Sequence, residues 1–105
     1  MKYILAVFLV ISGLPVHAIG NLTPVNIQGV YVRESRTDVI LEVDHNNPTG
    51  CENTKTLIIV ADEFVNSNQM VSAVMAAHLA GRKISGWVLN CSGSWGKLSA
   101  VNIEK

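Results

Sequence analysis

The spacing of apolar and polar residues changes several times along the chain, and each change predicts an element. Val25 and Ile27 alternate with Asn26 and Gln28, and the apolar phase then flips across Gly29 to Val30 and Val32. A one-residue phase change at a glycine predicts a bulge or sharp bend within a strand. Val39, Leu41 and Val43 alternate with Ile40, Glu42 and Asp44 in the same two-residue period. Together they predict a long hairpin over residues 25–44, turning in the polar stretch Glu34-Ser35-Arg36-Thr37-Asp38. HNNPTGCEN, residues 45–53, is dense in turn formers and reads as a loop. TLIIVA, residues 56–61, is short, continuously apolar and β-branched, as a central strand requires. Residues 84–89 make a fourth strand, NCSGSWG over 90–96 a second tight loop, and residues 97–104 a fifth strand.

Between the third and fourth strands the period becomes helical. Asn66 is placed as N-cap with Gln69 reaching back to it, and Gly81 is placed as the left-handed residue that ends the helix. Arg82 and Lys83 follow, at the negative end of the macrodipole. Met70, Ala73, Val74 and Ala77 form one apolar stripe, yet Val71, Met75 and Leu79 make the other side apolar too. Only Ser72 and His78 are polar between Met70 and Ala80. Such a helix is expected to pack one side on its own domain and the other on a second chain, or to be sunk wholly in a small core. The first case makes Met70, Val71, Val74, Met75 and His78 candidate interface residues.

The resulting order, strand-strand-strand-helix-strand-strand, makes the protein mostly β with one helix and matches the five-stranded OB-fold barrel. A plain α+β sheet with a helix on one face has the same order. The amino-terminal residues 1–18 carry Lys2, an apolar run over 3–14 and the small-residue pattern Val16-His17-Ala18. That is a signal-peptide pattern, and the apolar run is shorter than the roughly 20 residues a spanning helix needs. Secretion or release to the periplasm is expected, without membrane insertion, leaving a single domain over residues 19–105.

Composition sharpens this. Eight Lys and Arg balance eight Asp and Glu, so loss of Lys2 leaves a formal charge of −1 (seven against eight). Without a basic stripe, nucleic-acid binding is not expected. A domain this small has a marginal core and commonly uses a staple. Its two cysteines, Cys51 and Cys91, are expected to form one disulfide in an oxidising compartment. With His45 and His78 they match no zinc spacing, so no metal site is expected.

The chemistry of catalysis is missing from the sequence. There is no G-x-S-x-G, phosphate-binding glycine loop or H-E-x-x-H, and Asp62-Glu63 reads as charge favourable at a helix start. Neither an enzyme nor a cofactor is expected, and no residue is a catalytic candidate. Binding is the better reading. Beyond residue 18 the aromatics are Tyr31, Phe64, Trp87 and Trp95. Trp87, among apolar neighbours, reads as core or interface. Trp95 lies among Ser92, Gly93, Ser94, Gly96 and Lys97. Its flat face with Ser94 beside it suits a sugar ring, or else it folds back over the end of the barrel beside the disulfide. Tyr31 and Arg33 share a strand face by period two and form a second candidate patch, where the arginine fork suits an acidic sugar.

The passage SAVMAAHLAGRKISGWVL resembles the helix–glycine–strand segment of AB5-toxin B subunits, nearest to the pertussis-like and subtilase cytotoxin group. The signal peptide, small size, two cysteines and strand order agree with it. The resemblance implies an OB-fold homopentamer that binds cell-surface glycans and carries a catalytic A subunit, the helices lining the pore. It assigns no sugar-contacting residue here. An exported stand-alone OB-fold module binding a protein or cell-envelope ligand is the alternative, and oligomeric mass separates the two.

Overall fold

The computed structural model describes residues 20–105, so the leader expected over 1–18 lies outside the described residues. Six strands and one helix follow in the order β1 (Gly20–Val25), β2 (Ile27–Val32), β3 (Arg36–Leu41), β4 (Thr56–Val60), α1 (Ser67–Ala80), β5 (Ile84–Ser92) and β6 (Trp95–Ile103). They form one sheet in the order β1-β5-β6-β4-β3-β2. All neighbours are antiparallel except β4 and β6, which run parallel on either side of the helical crossover. The two edge strands, β1 and β2, are consecutive in sequence and separated by Asn26 alone.

The sheet therefore has six strands where the apolar pattern predicts five. The added one is β1, whose Gly20 and Pro24 weaken its strand signal. Proline is tolerated because β1 is an edge, and the register with β5 slips between Leu22 and Val25, around that residue. The expected irregularity at Gly29 is present, as the β2–β3 register shifts between Ile27 and Gly29. The hairpin turn is shorter than expected. It occupies residues 33–35, where the Arg33 N–H donates to the Arg36 carbonyl at 2.8 Å. Arg36, Thr37 and Asp38 belong to β3, and Thr37 and Asp38 are buried. Val43, counted with the strand by its period, lies beyond β3 and is exposed. The second loop also contracts, because β5 runs on to Ser92 and β6 starts at Trp95 around a turn at Gly93.

Leu22, Val39, Leu41, Leu57, Ile59, Ile84, Val88 and Leu98 point inward from the sheet and meet Met70, Val74 and Ala77 of α1. The spacing i, i+4, i+7 puts these three on one helical stripe, each large member contributing about 1.5–3 kcal/mol by burial. Gly81 ends the helix at φ 66° and ψ 30°, as expected, and the Arg82 N–H donates to the Ala77 carbonyl at 2.9 Å. The start differs. Asn66 makes no side-chain cap, its backbone lying at φ −101° and ψ 18° rather than extended. Ser67, the first helical residue, instead holds the segment leading into the helix, its Oγ accepting the Phe64 N–H at 3.0 Å. Cys51 and Cys91 are disulfide-bonded with 5.6 Å between their Cα atoms, which fixes the 42–55 loop to the end of the β5–β6 hairpin. No helix among the described residues is long and apolar enough to cross a membrane.

Candidate binding site on the outer sheet face

The residues expected to form two separate patches are joined by two others into one strip. The β2–β3 register sets Tyr31 opposite Asp38, β3–β4 sets Asp38 opposite Ile58, and β4–β6 sets Ile58 opposite Lys97. Residues directly opposite share a face, so these four lie on the side away from the core. Ile58 is only 2 % exposed although it does not belong to the inner cluster, so the side chains of the outer face cover it.

Asp38 is the centre of the strip. Its Oδ2 accepts Arg33 Nε and its Oδ1 accepts Arg36 Nε, both at 2.8 Å. The carboxylate is nearly buried, while the Arg33 and Arg36 side chains retain 50 % and 30 % exposure. Because each arginine spends its Nε on Asp38, its two terminal Nη groups are held at the surface as donors. Two guanidinium forks against one carboxylate leave a positive excess. The forks are also backed by aromatic rings. Arg33 lies 5.1 Å from the Tyr31 ring centroid and Arg36 lies 4.5 Å from that of Trp95. Farther along the face, Lys97 Nζ pairs with Glu63 Oε2 at 2.7 Å. A cavity of about 420 Å³ opens at the same end of the sheet but on its helix side, between the hairpin and the start of α1, lined by Arg33, Glu34, Arg36, Thr37, Asp62 and Ser67 among others.

This placement changes what each expected residue can do. Trp95 is half-buried with one ring face taken by the Arg36 guanidinium, so it supports a cation rather than offering an open platform. Ser94 donates to Glu52 Oε1 at 3.2 Å, and its carbonyl accepts the Asn53 N–H at 2.8 Å, which ties the hairpin tip to the disulfide loop. Tyr31 and Arg33 are brought together as expected, and both are exposed. Arg36 and Asp38 fall in the stretch whose polarity reads as a turn, so neither is among the expected site residues. Their two-residue spacing, in phase with Tyr31 and Arg33 across a tighter turn, was the available signal.

Of the five candidate interface residues, Met70 and Val74 are buried in the chain's own core and cannot face a second chain. Val71 and His78 are half-buried, whereas Met75 and Leu79 are exposed at 43 % and 85 %. The outward side of α1 is thus apolar over its carboxyl-terminal half only, with Asn68, Gln69 and Ser72 making its beginning polar. Trp87 is not core, being 46 % exposed on the outer face of β5. No protein-family model, curated protein or solved structure matches the chain.

Proposed function

We propose that this chain is an exported, non-catalytic glycan-binding subunit whose outer strip, from Tyr31 to Trp95, receives an acidic sugar. The observation that carries this reading is the pair of guanidinium forks, Arg33 and Arg36, oriented by one buried carboxylate and backed by aromatic rings. A carboxylate-bearing sugar matches them, since the free Nη groups of each fork can pair with it bidentately while the exposed Tyr31 borders the rest of the sugar. The sheet is open with six strands, but its two edges, β1 and β2, are parted by Asn26 alone, and this supports reading them as one bent strand of a five-stranded OB-fold barrel. With the resemblance to AB5-toxin B subunits, this supports a homopentamer that delivers a catalytic A subunit. Met75 and Leu79 are the apolar residues of α1 available for assembly. A ring would multiply weak single contacts, by a factor on the order of 10² to 10⁴.

The polar beginning of α1 favours the second reading, a stand-alone exported binding module, because it shortens the apolar face available between copies. The test of the sugar assignment is a glycan array probed with the protein lacking residues 1–18. Enrichment of glycans ending in an acidic sugar is expected. Retention of none, or indifference to removal of the acidic residue, would contradict the assignment.

A further inference from the structure

A second hollow lies on the outer face away from the strip. Along β6, Trp95 and Ala100 are five residues apart, roughly 16 Å of strand, and Ala100 is the register partner of Trp87. The hollow has a volume of about 430 Å³ and is lined by Asn21, Pro24, Ser85, Trp87, Asn102 and Glu104 among others. That volume falls within the range of small-molecule sites, about 300–1,000 Å³. Trp87 is set between Asn21 on one side and Ala100 on the other, so no large neighbour on either paired strand covers its ring.

The polar side of the hollow is already ordered. Ser85 Oγ donates to Glu104 Oε2 at 2.5 Å, and Asn102 Nδ2 donates to the same oxygen at 2.9 Å. The Glu104 N–H is tied to the Lys83 carbonyl at 2.9 Å, which holds the backbone in place. Both internal donors fall on Oε2, leaving Oε1 as an acceptor without a partner among the described residues. The same two hydrogen bonds, that of Ser85 first, lower the Glu104 pKa, so the group is an ionised acceptor at neutral pH. A ligand here must bring hydroxyl or amine donors to the carboxylate and an apolar face to the indole. The carboxylate repels an acidic sugar. Arg82 donates through Nη1 to the Glu104 carbonyl oxygen at 3.5 Å but does not line the hollow, so a cation has to be tested against the neutral ligand directly.

We infer that this hollow is a second binding site, one that takes a neutral pyranose, with Trp87 beneath the C–H face of the sugar and Glu104 accepting from its hydroxyls. It is independent of the strip, and a ligand in one leaves the other free.

The protein contains two tryptophans, so two indole N–H signals in a ¹⁵N-labelled sample report the two places separately. The probes are methyl β-galactopyranoside, methyl α-glucopyranoside, the methyl glycoside of N-acetylneuraminic acid, and choline. A neutral glycoside is expected to shift the Trp87 indole saturably. Trp87→Ala should abolish the binding detected by saturation transfer to that glycoside, and Glu104→Gln should weaken it about tenfold or more. Arg33→Ala should leave it unchanged. The inference is overturned if no neutral glycoside moves the Trp87 indole, if only choline does, or if Glu104→Gln binds as tightly as the parent. It is overturned as well if Trp87→Ala lowers oligomeric mass and keeps sugar binding, since Trp87 then lies between copies. The acidic glycoside reports the strip through the Trp95 indole, so either reading can fail without the other.

Discussion

Removing the disulfide tests how the strip is held in place. The Cys51→Ala, Cys91→Ala double variant opens a loop closed over a separation of 40 residues. In the chain-entropy account, closing a loop of that length removes unfolded-state entropy worth about 4 kcal/mol at 25 °C. Small domains have total stabilities of about 5–15 kcal/mol, so the variant should lose a large share of its own. For a chain of this size that corresponds to a fall in thermal midpoint of roughly 15–30 °C. Urea unfolding should give a lower midpoint and a steeper slope, because the unfolded chain freed of the cross-link expands and exposes more surface. The loss should not be purely entropic, because Cys51 is buried and its loop is otherwise organised by Asn47, which bonds the Cys51 N–H and carbonyl at 2.8 Å each. Without the bridge, only contacts such as that between Asn53 and Ser94 fasten this loop to the hairpin that presents Trp95. Where the variant still folds, the Trp95 indole should sharpen and lose its fixed position against Arg36. A destabilisation below about 1 kcal/mol would refute the reasoning, since the loop would then be constrained equally well in the unfolded chain.

Three further outcomes are expected. Gly86→Ala should be among the most damaging single changes, at several kcal/mol in urea unfolding: at φ 155° an added Cβ would collide with the Ala100 carbonyl across the β5–β6 ladder. Burial holds His45 below the ordinary pKa of 6.5, with the Asp44 charge pulling only partly the other way. The unfolded chain therefore binds a proton first on acidification, and this contribution to stability is full above about pH 6.5 and lost as the pH falls through the folded pKa. Thermal midpoints measured across that window should fall toward acid, and His45→Gln should flatten the slope. In light scattering, Met75→Glu should leave a folded chain of lower mass if α1 joins copies, because a buried unpaired carboxylate costs several kcal/mol. A wild type already monomeric at micromolar concentration would exclude assembly through this face.

Much of the fold is legible in the sequence because the inner faces of the strands keep a period of two and the helix ends at a glycine that must be left-handed. Several of the misreadings share one cause: local chemistry predicts loops where tertiary pairing extends strands. Val43 is the reverse case, a strand period continued past the end of β3. Gly20 and Pro24 argue against a strand, yet β1 finds a partner in β5 and tolerates proline as an edge. The polar run 34–38 reads as a turn, yet Asp38 is buried in a strand because two arginines neutralise it. That pairing is between side chains, and no single-strand period reveals it. The small and polar neighbours of Trp95 make it stand out in the sequence, but the guanidinium over its ring comes from a strand 59 positions earlier (95 − 36). Trp87 reads as core or interface from its neighbours in sequence, and the core half of that reading fails. It is exposed because the β5–β6 register shifts beside it and faces it with a small residue.

The measurement closest to the central claim is the affinity of the protein for sialyllactose, compared among wild type, Arg33→Ala and Arg33→Lys. Arg33→Ala leaves the nearly buried Asp38 carboxylate to Arg36 alone, so that variant's thermal midpoint should fall, whereas Arg33→Lys restores the charge. Affinities are therefore compared at a temperature where all three proteins are folded. The account predicts that Arg33→Ala loses about tenfold or more in affinity, and that Arg33→Lys, which keeps the charge without the fork, recovers only part of it. Equal affinity in all three proteins, with binding detected in each, would contradict it.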